Sequence, residues 1–242
     1  MLFDASWPAP PGVRAVCSTR EGGVSRAPYG SLNLGDHVGD DAQAVAANRE
    51  RFAGALGARP VFLNQVHGIE LVELGADTPD ATEADACFTT RKRLACTIMV
   101  ADCLPVLFCN AAASRVGAAH AGWRGLAGGV LEAALGGFEP ATTLAWLGPC
   151  IGPTAFEVGP EVKAAFESHD SGAAQMFKPH KEGKWLADLP GLARLRLRAI
   201  GISQVYGNDG GAAWCTVSNP SRFFSHRRDR VSGRMAASIW LE

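Results

Sequence analysis

Two short apolar runs, joined by a turn of small residues, stand near the middle of the chain. They cover residues 104–109 and 115–119, and the turn between them covers residues 110–114. Short apolar runs bounded by turn residues predict buried strands, so we expect the pair to form a β-hairpin. The entry of the first strand and the exit of the second then lie at one edge, which places Cys103 next to His120.

The same patterns predict further strands and helices along the whole chain. Strands are predicted over residues 13–19, 61–66, 70–73, 94–100, 144–147, 202–206 and 234–241. Helices are predicted over residues 40–56, 126–135, 160–168 and 188–201. Loops are predicted over the glycine-rich residues 20–35 and the basic residues 223–229. Strands and helices alternate without a repeat or a linker, so we expect a single α/β (α+β) domain over residues 1–242.

Composition and charge exclude several classes of protein. Hydrophobic residues make up 47% of the chain and charged residues 19%, which is typical of a globular protein. The net charge of −1 gives no electrostatic reason to expect nucleic acid or an anionic membrane as a partner. No apolar run approaches the length of a membrane span, and the N-terminus lacks the features of a signal peptide. We therefore expect a cytoplasmic protein, with a monomer as the default oligomeric state.

The cysteines argue against a disulfide framework. There are seven of them, an odd number, and no two form a C-x-x-C pair. This usage fits a reducing compartment and excludes a zinc ribbon by spacing. Cys17, Cys96 and Cys109 lie inside apolar runs, where a free cysteine is usually a small buried hydrophobe. We expect these three to be core residues.

Three metal-binding side chains follow or precede predicted strands. His67 lies in the Q-V-H-G segment at the end of a predicted strand, while Cys103 and His120 flank the predicted hairpin. Zinc accepts imidazole nitrogen and thiolate, and a catalytic site typically has three protein ligands with one position open. The same atoms also suit a Cys–His pair with Cys103 as nucleophile and His120 as base. A buried cysteine with two ordinary histidines is the third alternative, because no compact spacing motif joins these residues.

Five other residues are candidates for roles in the same site. Asp85 stands between two alanines before a buried segment, where its carboxylate can bond turn backbone or point into a site. Arg20 lies in a glycine-rich loop at a strand end, and Arg124 lies between Gly122 and Gly125, so both are candidate anion ligands. The C-terminal basic segment offers Arg227 and Arg228 as substitutes.

Several segments, taken in order, resemble the YfiH family, whose members are also called laccase-domain proteins. They are N-Q-V-H-G at 64–68, A-D-C-L-P-V at 101–106, H-A-G-W-R-G at 120–125, G-P-C-I-G at 148–152 and F-F-S-H-R-R at 223–228. The resemblance runs from about residue 12 to the C-terminus. It implies a single domain with mixed β-sheets flanked by helices, similar to a cysteine-hydrolase fold. It also implies that His67, Cys103 and His120 ligate zinc.

The activity implied by this resemblance acts on purine nucleosides. It is the zinc-dependent phosphorolysis of adenosine, inosine, guanosine and methylthioadenosine, together with the deamination of adenosine. A purine nucleoside and phosphate are then the expected partners. On this view Arg20 and Arg124 are expected to hold phosphate, and Asp85 to act as an acid, a base or an orienting carboxylate.

Three alternatives to this activity stay open. One is a Cys–His hydrolase acting on a peptidoglycan precursor. Another is a non-enzymatic binding module, in which a fourth ligand such as Cys150 closes a structural zinc site. The third is a copper-dependent polyphenol oxidase, an older family label, with copper as the cofactor. It is disfavoured because the remaining histidines, at positions 37, 169, 180 and 226, form no pairing motif for further copper sites.

Overall fold

The computed structural model describes all 242 residues of the chain. The strands, numbered in chain order, are β1 Leu2–Asp4, β2 Val13–Ser18, β3 Arg59–Phe62, β4 Leu71–Glu73, β5 Ala86–Thr89, β6 Leu94–Val100, β7 Leu104–Asn110, β8 Val116–Ala121, β9 Thr143–Leu147, β10 Glu157–Val158, β11 Phe177–Pro179, β12 Trp185–Ala187, β13 Gln204–Gly207 and β14 Met235–Leu241. The α-helices are α1 Ala42–Leu56, α2 Trp123–Gly128, α3 Val130–Ala134, α4 Pro160–Glu167, α5 Leu189–Ala199 and α6 His226–Asp229. Short 3₁₀ helices cover Pro140–Thr142, Ser171–Met176 and Ala212–Trp214.

These strands form three sheets. The five-stranded sheet has the order β1-β2-β14-β6-β3, and the six-stranded sheet has the order β13-β9-β7-β8-β5-β4. A small third sheet has the order β10-β12-β11. The pairs β3–β6, β4–β5 and β13–β9 are parallel, whereas the other pairs are antiparallel. Both large sheets are therefore mixed, as the resemblance implies.

Strand β7 shows how the central strands are buried on both faces. Leu104, Val106 and Phe108 pack in the cluster that the six-stranded sheet forms with α2, α3, α4 and α5. Leu107 and Cys109, which alternate with them, pack in the cluster between the two large sheets. A strand that is covered on both faces carries apolar side chains at every position. This explains why the residues of β7 form a continuous apolar run.

The outer face of the five-stranded sheet is covered by α1. Phe52 and Leu56 of this helix pack in one cluster with Val16 of β2 and Trp240 of β14. The layers therefore follow the order α1, five-stranded sheet, six-stranded sheet, and then the helices α2 to α5. No helix in the structure combines the length and the apolar character that a membrane span requires.

The predicted central hairpin is confirmed. Strands β7 and β8 pair in antiparallel fashion, with Leu104 opposite Ala121 and Pro105 opposite His120. Cys103 directly precedes β7, so it lies beside His120 at the end of the hairpin. Residues 101–103 also carry the chain from β6 in the five-stranded sheet to β7 in the six-stranded sheet. The edge where the chain crosses between the sheets is where the functional side chains gather.

One predicted helix is two helices. The helix expected over residues 126–135 is divided at Gly129, whose φ of 104° is left-handed. The N–H of Gly129 donates to the carbonyl of Gly125 and ends α2, and α3 begins one residue later. A left-handed residue cannot continue a right-handed helix, and glycine adopts this conformation without a steric penalty. The periodicity alone does not show this break.

The strand predicted over residues 61–66 ends early, at Phe62. Beyond it the side chain of Gln65, rather than its backbone, pairs with β6: Gln65 Nε2 donates to the Met99 carbonyl, and Gln65 Oε1 accepts from the Met99 N–H. The main chain is thereby released from the sheet just before His67. The predicted loop over residues 223–229 also contains a helix, α6, capped by the side chain of Ser225.

All seven cysteines are free thiols, and every one except Cys103 is buried. The expectation that Cys17, Cys96 and Cys109 are core residues is confirmed. Strands β1, β5, β10, β11 and β12, each of two to four residues, are too short to show an alternation pattern, and the sequence did not predict them.

The two glycines at positions 129 and 54 give a matched test of this backbone. Gly129→Ala forces an L-residue to φ 104° and should lower the free energy of unfolding by about 1–2 kcal/mol. Gly54→Ala, in α1 with no atom near the added Cβ, should raise it by about 0.5–1 kcal/mol. Urea unfolding of both variants measures the difference. Equal effects of the same sign would contradict the assigned backbone at Gly129.

Candidate metal centre

Three donor side chains meet beside the central hairpin. One nitrogen from each of His67 and His120 and the sulfur of Cys103 lie within 4.8 Å of one another. Cys103 Sγ is 3.7 Å from His67 Nε2, and the two imidazole ring centroids are 4.7 Å apart. Two nitrogens and one sulfur form a donor set that suits zinc. The structure therefore brings together the three residues that the sequence singled out, in an arrangement that fits a metal ion.

Each donor is delivered by a different kind of local structure. His120 lies on β8, within regular sheet. His67 lies in the loop after β3 with a φ of 63°, and Cys103 follows Asp102, which has a φ of 95°. Left-handed residues other than glycine are uncommon and cluster at functional sites, because they cost free energy that the rest of the structure must offset. Both loop-borne donors are thus held at or next to a strained residue.

Asp85 connects the two histidines. Its buried carboxylate accepts from the backbone N–H groups of Val66 at 3.1 Å, His67 at 2.9 Å and Gly68 at 2.7 Å. The same carboxylate lies 2.7 Å from His120 Nδ1. This contact fixes the tautomer of His120 and leaves Nε2 free to bind a metal. The turn contact and the site contact, which were alternatives at the level of the sequence, are both made by this one group.

The donors strongly affect one another's ionisation. Burial disfavours the Cys103 thiolate, but the charge and hydrogen bond of His120, together with His67, outweigh burial and lower the pKa of Cys103 to about 6. Burial likewise disfavours charge on His120, but the Cys103 thiolate and the Asp85 carboxylate raise its pKa to about 9. The pKa of Asp85 is lowered: its bonds to His120 and to backbone N–H groups outweigh burial. Without metal, Cys103 is a thiolate at neutral pH, the form that ligates metals and attacks electrophiles.

Two glycines permit the close packing of this centre. A Cβ on Gly122 would lie 2.8 Å from His67 Cδ2 and 3.0 Å from Cys103 Sγ. A Cβ on Gly125 would lie 2.8 Å from the carbonyl oxygen of Gly68. The contact of 2.8 Å at each position is too short for a Cβ, so the H-A-G-W-R-G segment requires glycine at these two positions for close approach.

Asp102 is a structural anchor that sequence reasoning missed. Its carboxylate accepts from the Thr216 hydroxyl and, at 2.7 Å, from the Arg227 N–H, and its carbonyl accepts from the Ile151 N–H at 2.8 Å. The residue before Cys103 is thus tied to three later segments of the chain. Its place in the A-D-C segment, directly after a predicted strand, was the only signal in the sequence.

A cavity of about 400 Å³ opens beside the donors, within the range of small-molecule sites. His67, Cys103 and His120 all line it. Part of its wall is apolar and includes Met99 and Phe156. Another part is basic and includes Arg227, Arg230 and Arg234. The cavity therefore presents both apolar and cationic side chains next to the candidate metal centre, and the two kinds adjoin where the Arg227 guanidinium lies 5.6 Å from the Phe156 ring centroid.

Arg20 and Arg124 do not line this cavity. The guanidinium of Arg20 donates to the carbonyls of Gly30 at 3.1 Å and Pro220 at 2.8 Å, which ties two loops together. Arg124 is exposed on α2, and its guanidinium lies 4.4 Å from the ring centroid of Trp123. The expectation that these two residues hold phosphate therefore stays a prediction without a contact that supports it.

Cys150 is not part of the donor group. It is buried, and its sulfur accepts from Asn208 Nδ2 at 3.3 Å. Burial raises the pKa of this thiol well above its ordinary value. Cys150 therefore stands apart from the three donors in both position and ionisation.

The acidic thiol of Cys103 gives a testable pH dependence. In chelator-treated protein the thiolate forms as pH rises through about 6, so alkylation by iodoacetamide should reach half its plateau rate near that pH. The six buried cysteines should remain unlabelled in the native state. Peptide mass spectrometry over a pH series measures both expectations. Half-maximal labelling above pH ~8, near the ordinary thiol pKa, would contradict the proposed charge coupling.

Comparison with known proteins places this geometry in context. A family model described as multi-copper polyphenol oxidoreductase laccase matches residues 14–242. The purine nucleoside phosphorylase YfiH of Escherichia coli K12 is 50% identical over 244 residues, 99% of this chain and 98% of that protein. A purine nucleoside phosphorylase of Pseudomonas aeruginosa is 51% identical over 239 residues, 98% of this chain and 96% of that protein.

Solved structures extend the similarity to the fold. The crystal structure of a Neisseria meningitidis protein superposes with a TM-score of 0.95 at 46% sequence identity, covering 100% of this chain and 99% of that one. The sequence and fold matches therefore extend over essentially the whole chain. On this evidence the chain belongs to the YfiH family of laccase-domain proteins.

Proposed function

We propose that this protein is a zinc-dependent purine nucleoside phosphorylase whose metal is held by His67, Cys103 and His120. The observation that carries the proposal is the convergence of these three donors on the wall of a cavity of ligand size. The names of the Escherichia coli and Pseudomonas aeruginosa relatives, each similar to this chain over nearly its full length, support the same activity. The proposed substrates are adenosine, inosine, guanosine and methylthioadenosine.

In the proposed reaction a phosphate oxygen forms a bond to C1′ of the sugar while the bond from C1′ to N9 breaks. The purine leaves with the bonding electron pair and takes up a proton, and the other product is the sugar 1-phosphate. When bound, zinc supplies Lewis acidity and lowers the pKa of an oxygen nucleophile. Asp85 orients His120 and holds the His67 loop, so that the donor set is fixed before substrate arrives. The apolar wall at Met99 and Phe156 suits the flat purine.

Deamination of adenosine is the second proposed activity of the same site. Here the oxygen of water forms a bond to C6 of the purine, ammonia leaves, and inosine is the product. This reaction consumes no phosphate. The two activities can therefore be separated experimentally by the presence or absence of phosphate.

The proposal includes a single catalytic domain over residues 1–242, working in the cytoplasm. The linking segment 101–103 supports the single domain, because it joins the two large sheets and carries Cys103. The seven free cysteines support the cytoplasmic location, because free thiols persist in reducing compartments.

A Cys–His hydrolase acting on a peptidoglycan precursor is the second candidate, and one observation favours it. Cys103, His120 and Asp85 form a chain of contacts in which the thiol is acidic and the imidazole is oriented by a carboxylate. This is also the arrangement of a thiol nucleophile, its base and the group that orients the base. The two candidates differ in their dependence on metal.

The structural-zinc and copper alternatives receive less support. A closed structural zinc site needs four protein ligands, whereas the donor group here has three residues and Cys150 is not among them. A multicopper oxidase needs several copper sites, and the structure contains one group of three or more donors that could hold a metal.

The direct test of the proposed function is an assay of the zinc-loaded protein with inosine and adenosine. With phosphate we expect free purine base and the sugar 1-phosphate, and without phosphate we expect inosine from adenosine. A chelator should abolish both reactions, and added zinc should restore them. No turnover of any of the four nucleosides at full zinc occupancy would overturn the proposal. Hydrolysis of a peptidoglycan precursor that survives chelation but not alkylation would support the hydrolase instead.

Cys103→Ala should remove most of the zinc affinity and the turnover while leaving the protein folded. The reason is that one of three ligands is lost at a partly buried position, where the change removes only a single sulfur atom. Cys109→Ala is the matched control, because burial raises the pKa of this core thiol to about 12 and keeps it inert. Zinc content, circular dichroism and turnover are measured for both. Wild-type turnover of Cys103→Ala at equal zinc occupancy would count against a ligand role.

A further inference from the structure

The basic wall of the cavity has almost no negative charge to balance it. Apart from the three candidate metal ligands, the charged lining residues are three arginines, Arg227, Arg230 and Arg234, and one carboxylate, Asp102. Both oxygens of Asp102 already accept hydrogen bonds, from the Thr216 hydroxyl and from the Arg227 N–H. A cleft lined by one sign of charge attracts ligands of the opposite sign. The cavity is therefore built to receive an anion.

The three arginines differ in how many hydrogen bonds their guanidinium groups already make within the protein. Arg227 donates from Nη1 to the carbonyl of Glu157 at 3.0 Å. Arg234 donates from Nη1 to the carbonyls of Ser232 at 2.9 Å and Gly233 at 3.2 Å, within its own turn. Both side chains are thus partly committed to the protein. They add positive charge to the wall, but Nη1 of each guanidinium is already hydrogen-bonded to the backbone.

Arg230, in contrast, makes no side-chain hydrogen bond, ion pair or aromatic contact in the structure. Its sequence neighbour Asp229 does not neutralise it, because both oxygens of that carboxylate bind Arg228, at 2.8 Å from Nε and 2.7 Å from Nη2. The guanidinium of Arg230 therefore keeps its five N–H donors and its charge for a ligand.

The backbone at Arg230 is also unusual. Its φ of 62° and ψ of −57° place it at the centre of a turn in which the Val231 N–H donates to the Asp229 carbonyl at 2.7 Å. This is a γ-turn of the rare, strained kind. An arginine has no conformational reason to occupy such a position. The turn directs the chain so that this side chain lines the cavity together with the candidate metal ligands.

We infer that Arg230 is the ligand of inorganic phosphate in the cavity, with Arg227 and Arg234 adding charge around it. A guanidinium fork can bind two phosphate oxygens at once, which a lysine cannot do. Arg230 then holds the nucleophile of phosphorolysis, and apolar lining residues such as Met99 contact the purine. This assignment rests on the proposed function for its role in turnover, whereas phosphate binding itself can be tested without turnover.

The experiment compares Arg230→Gln and Arg230→Lys with a matched control, Arg91→Gln. Arg91 is exposed on the turn before β6, makes no side-chain hydrogen bond and does not line the cavity, so it controls for the lost charge. Calorimetry measures the binding of inorganic phosphate to each protein, both chelator-treated and zinc-loaded. Assays of the zinc-loaded proteins give the KM for phosphate and the rate of phosphate-independent adenosine deamination. Zinc content and thermal unfolding report on the fold.

We expect Arg230→Gln to weaken phosphate binding by about ten- to a hundredfold, as for the loss of hydrogen bonds to a charged group. The KM for phosphate should rise in parallel and zinc content should stay at the wild-type level, while the deamination rate should fall by far less than the rate of phosphorolysis. Arg230→Lys should fall between Arg230→Gln and the wild type, because it retains the charge but loses the fork. Arg91→Gln should bind phosphate as the wild type does.

Two results would overturn the assignment. The first is unchanged phosphate affinity in a folded, zinc-replete Arg230→Gln. The second is an equal loss of phosphate binding in Arg230→Gln and Arg91→Gln, which would show that the loss of any one positive charge weakens binding. The outcome for the proposed function is separate. If the wild type binds phosphate through Arg230 but cleaves no nucleoside, the phosphorylase fails and the anion site stands. If the wild type is a phosphorylase and Arg230→Gln binds phosphate as the wild type does, the phosphorylase stands and the assignment of Arg230 fails.

Discussion

One buried carboxylate, that of Asp85, holds the candidate site together. It accepts three backbone N–H groups from residues 66–68 and contacts His120 Nδ1, so its oxygens are fully satisfied despite complete burial. A buried charge without such partners would cost several kcal/mol, on the order given for isolated ions in protein interiors. The sheet register places it there: Ala86 pairs with Ala119, and the His120 N–H donates to the Asp85 carbonyl.

From this carboxylate the chemistry follows in steps. Because Asp85 stabilises a positive His120, His120 in turn stabilises a negative Cys103, and the pKa values of imidazole and thiol move in opposite directions to about 9 and about 6. The same carboxylate holds the loop that presents His67. His67, Cys103 and His120 would hold a metal through two imidazole nitrogens and a thiolate, with the proton on His120 released on binding. The cavity beside them is lined by both apolar and cationic side chains.

The sequence predicted what depends on local pattern. The two short apolar runs in residues 104–119, joined by a turn of small residues, predicted the hairpin, and the hairpin alone brought Cys103 to His120. His67 joined them through the family resemblance, because its loop is placed by the Gln65 side chain and by Asp85, which are distant contacts that no local pattern encodes. The role of Asp85 stayed open for the same reason.

The basic wall was the hardest part to predict. Arg20 and Arg124 were ranked first because they stand beside glycines, yet the first ties two loops together and the second is exposed on a helix. Arg230 carries no motif, and only the fold shows that a strained turn near the C-terminus lines the cavity beside Cys103. Asp102 was missed similarly, since its partners at Thr216 and Arg227 lie more than a hundred residues away in the sequence.

The central claim is that His67, Cys103 and His120 form one metal site. X-ray absorption at the zinc edge of the zinc-loaded protein tests it most directly. The account predicts one sulfur at about 2.3 Å and two imidazole nitrogens at about 2.0–2.1 Å from the zinc, with the sulfur absent from the spectrum of Cys103→Ala. A spectrum with no sulfur, with two or more sulfurs, or with a sulfur that persists in Cys103→Ala would contradict it.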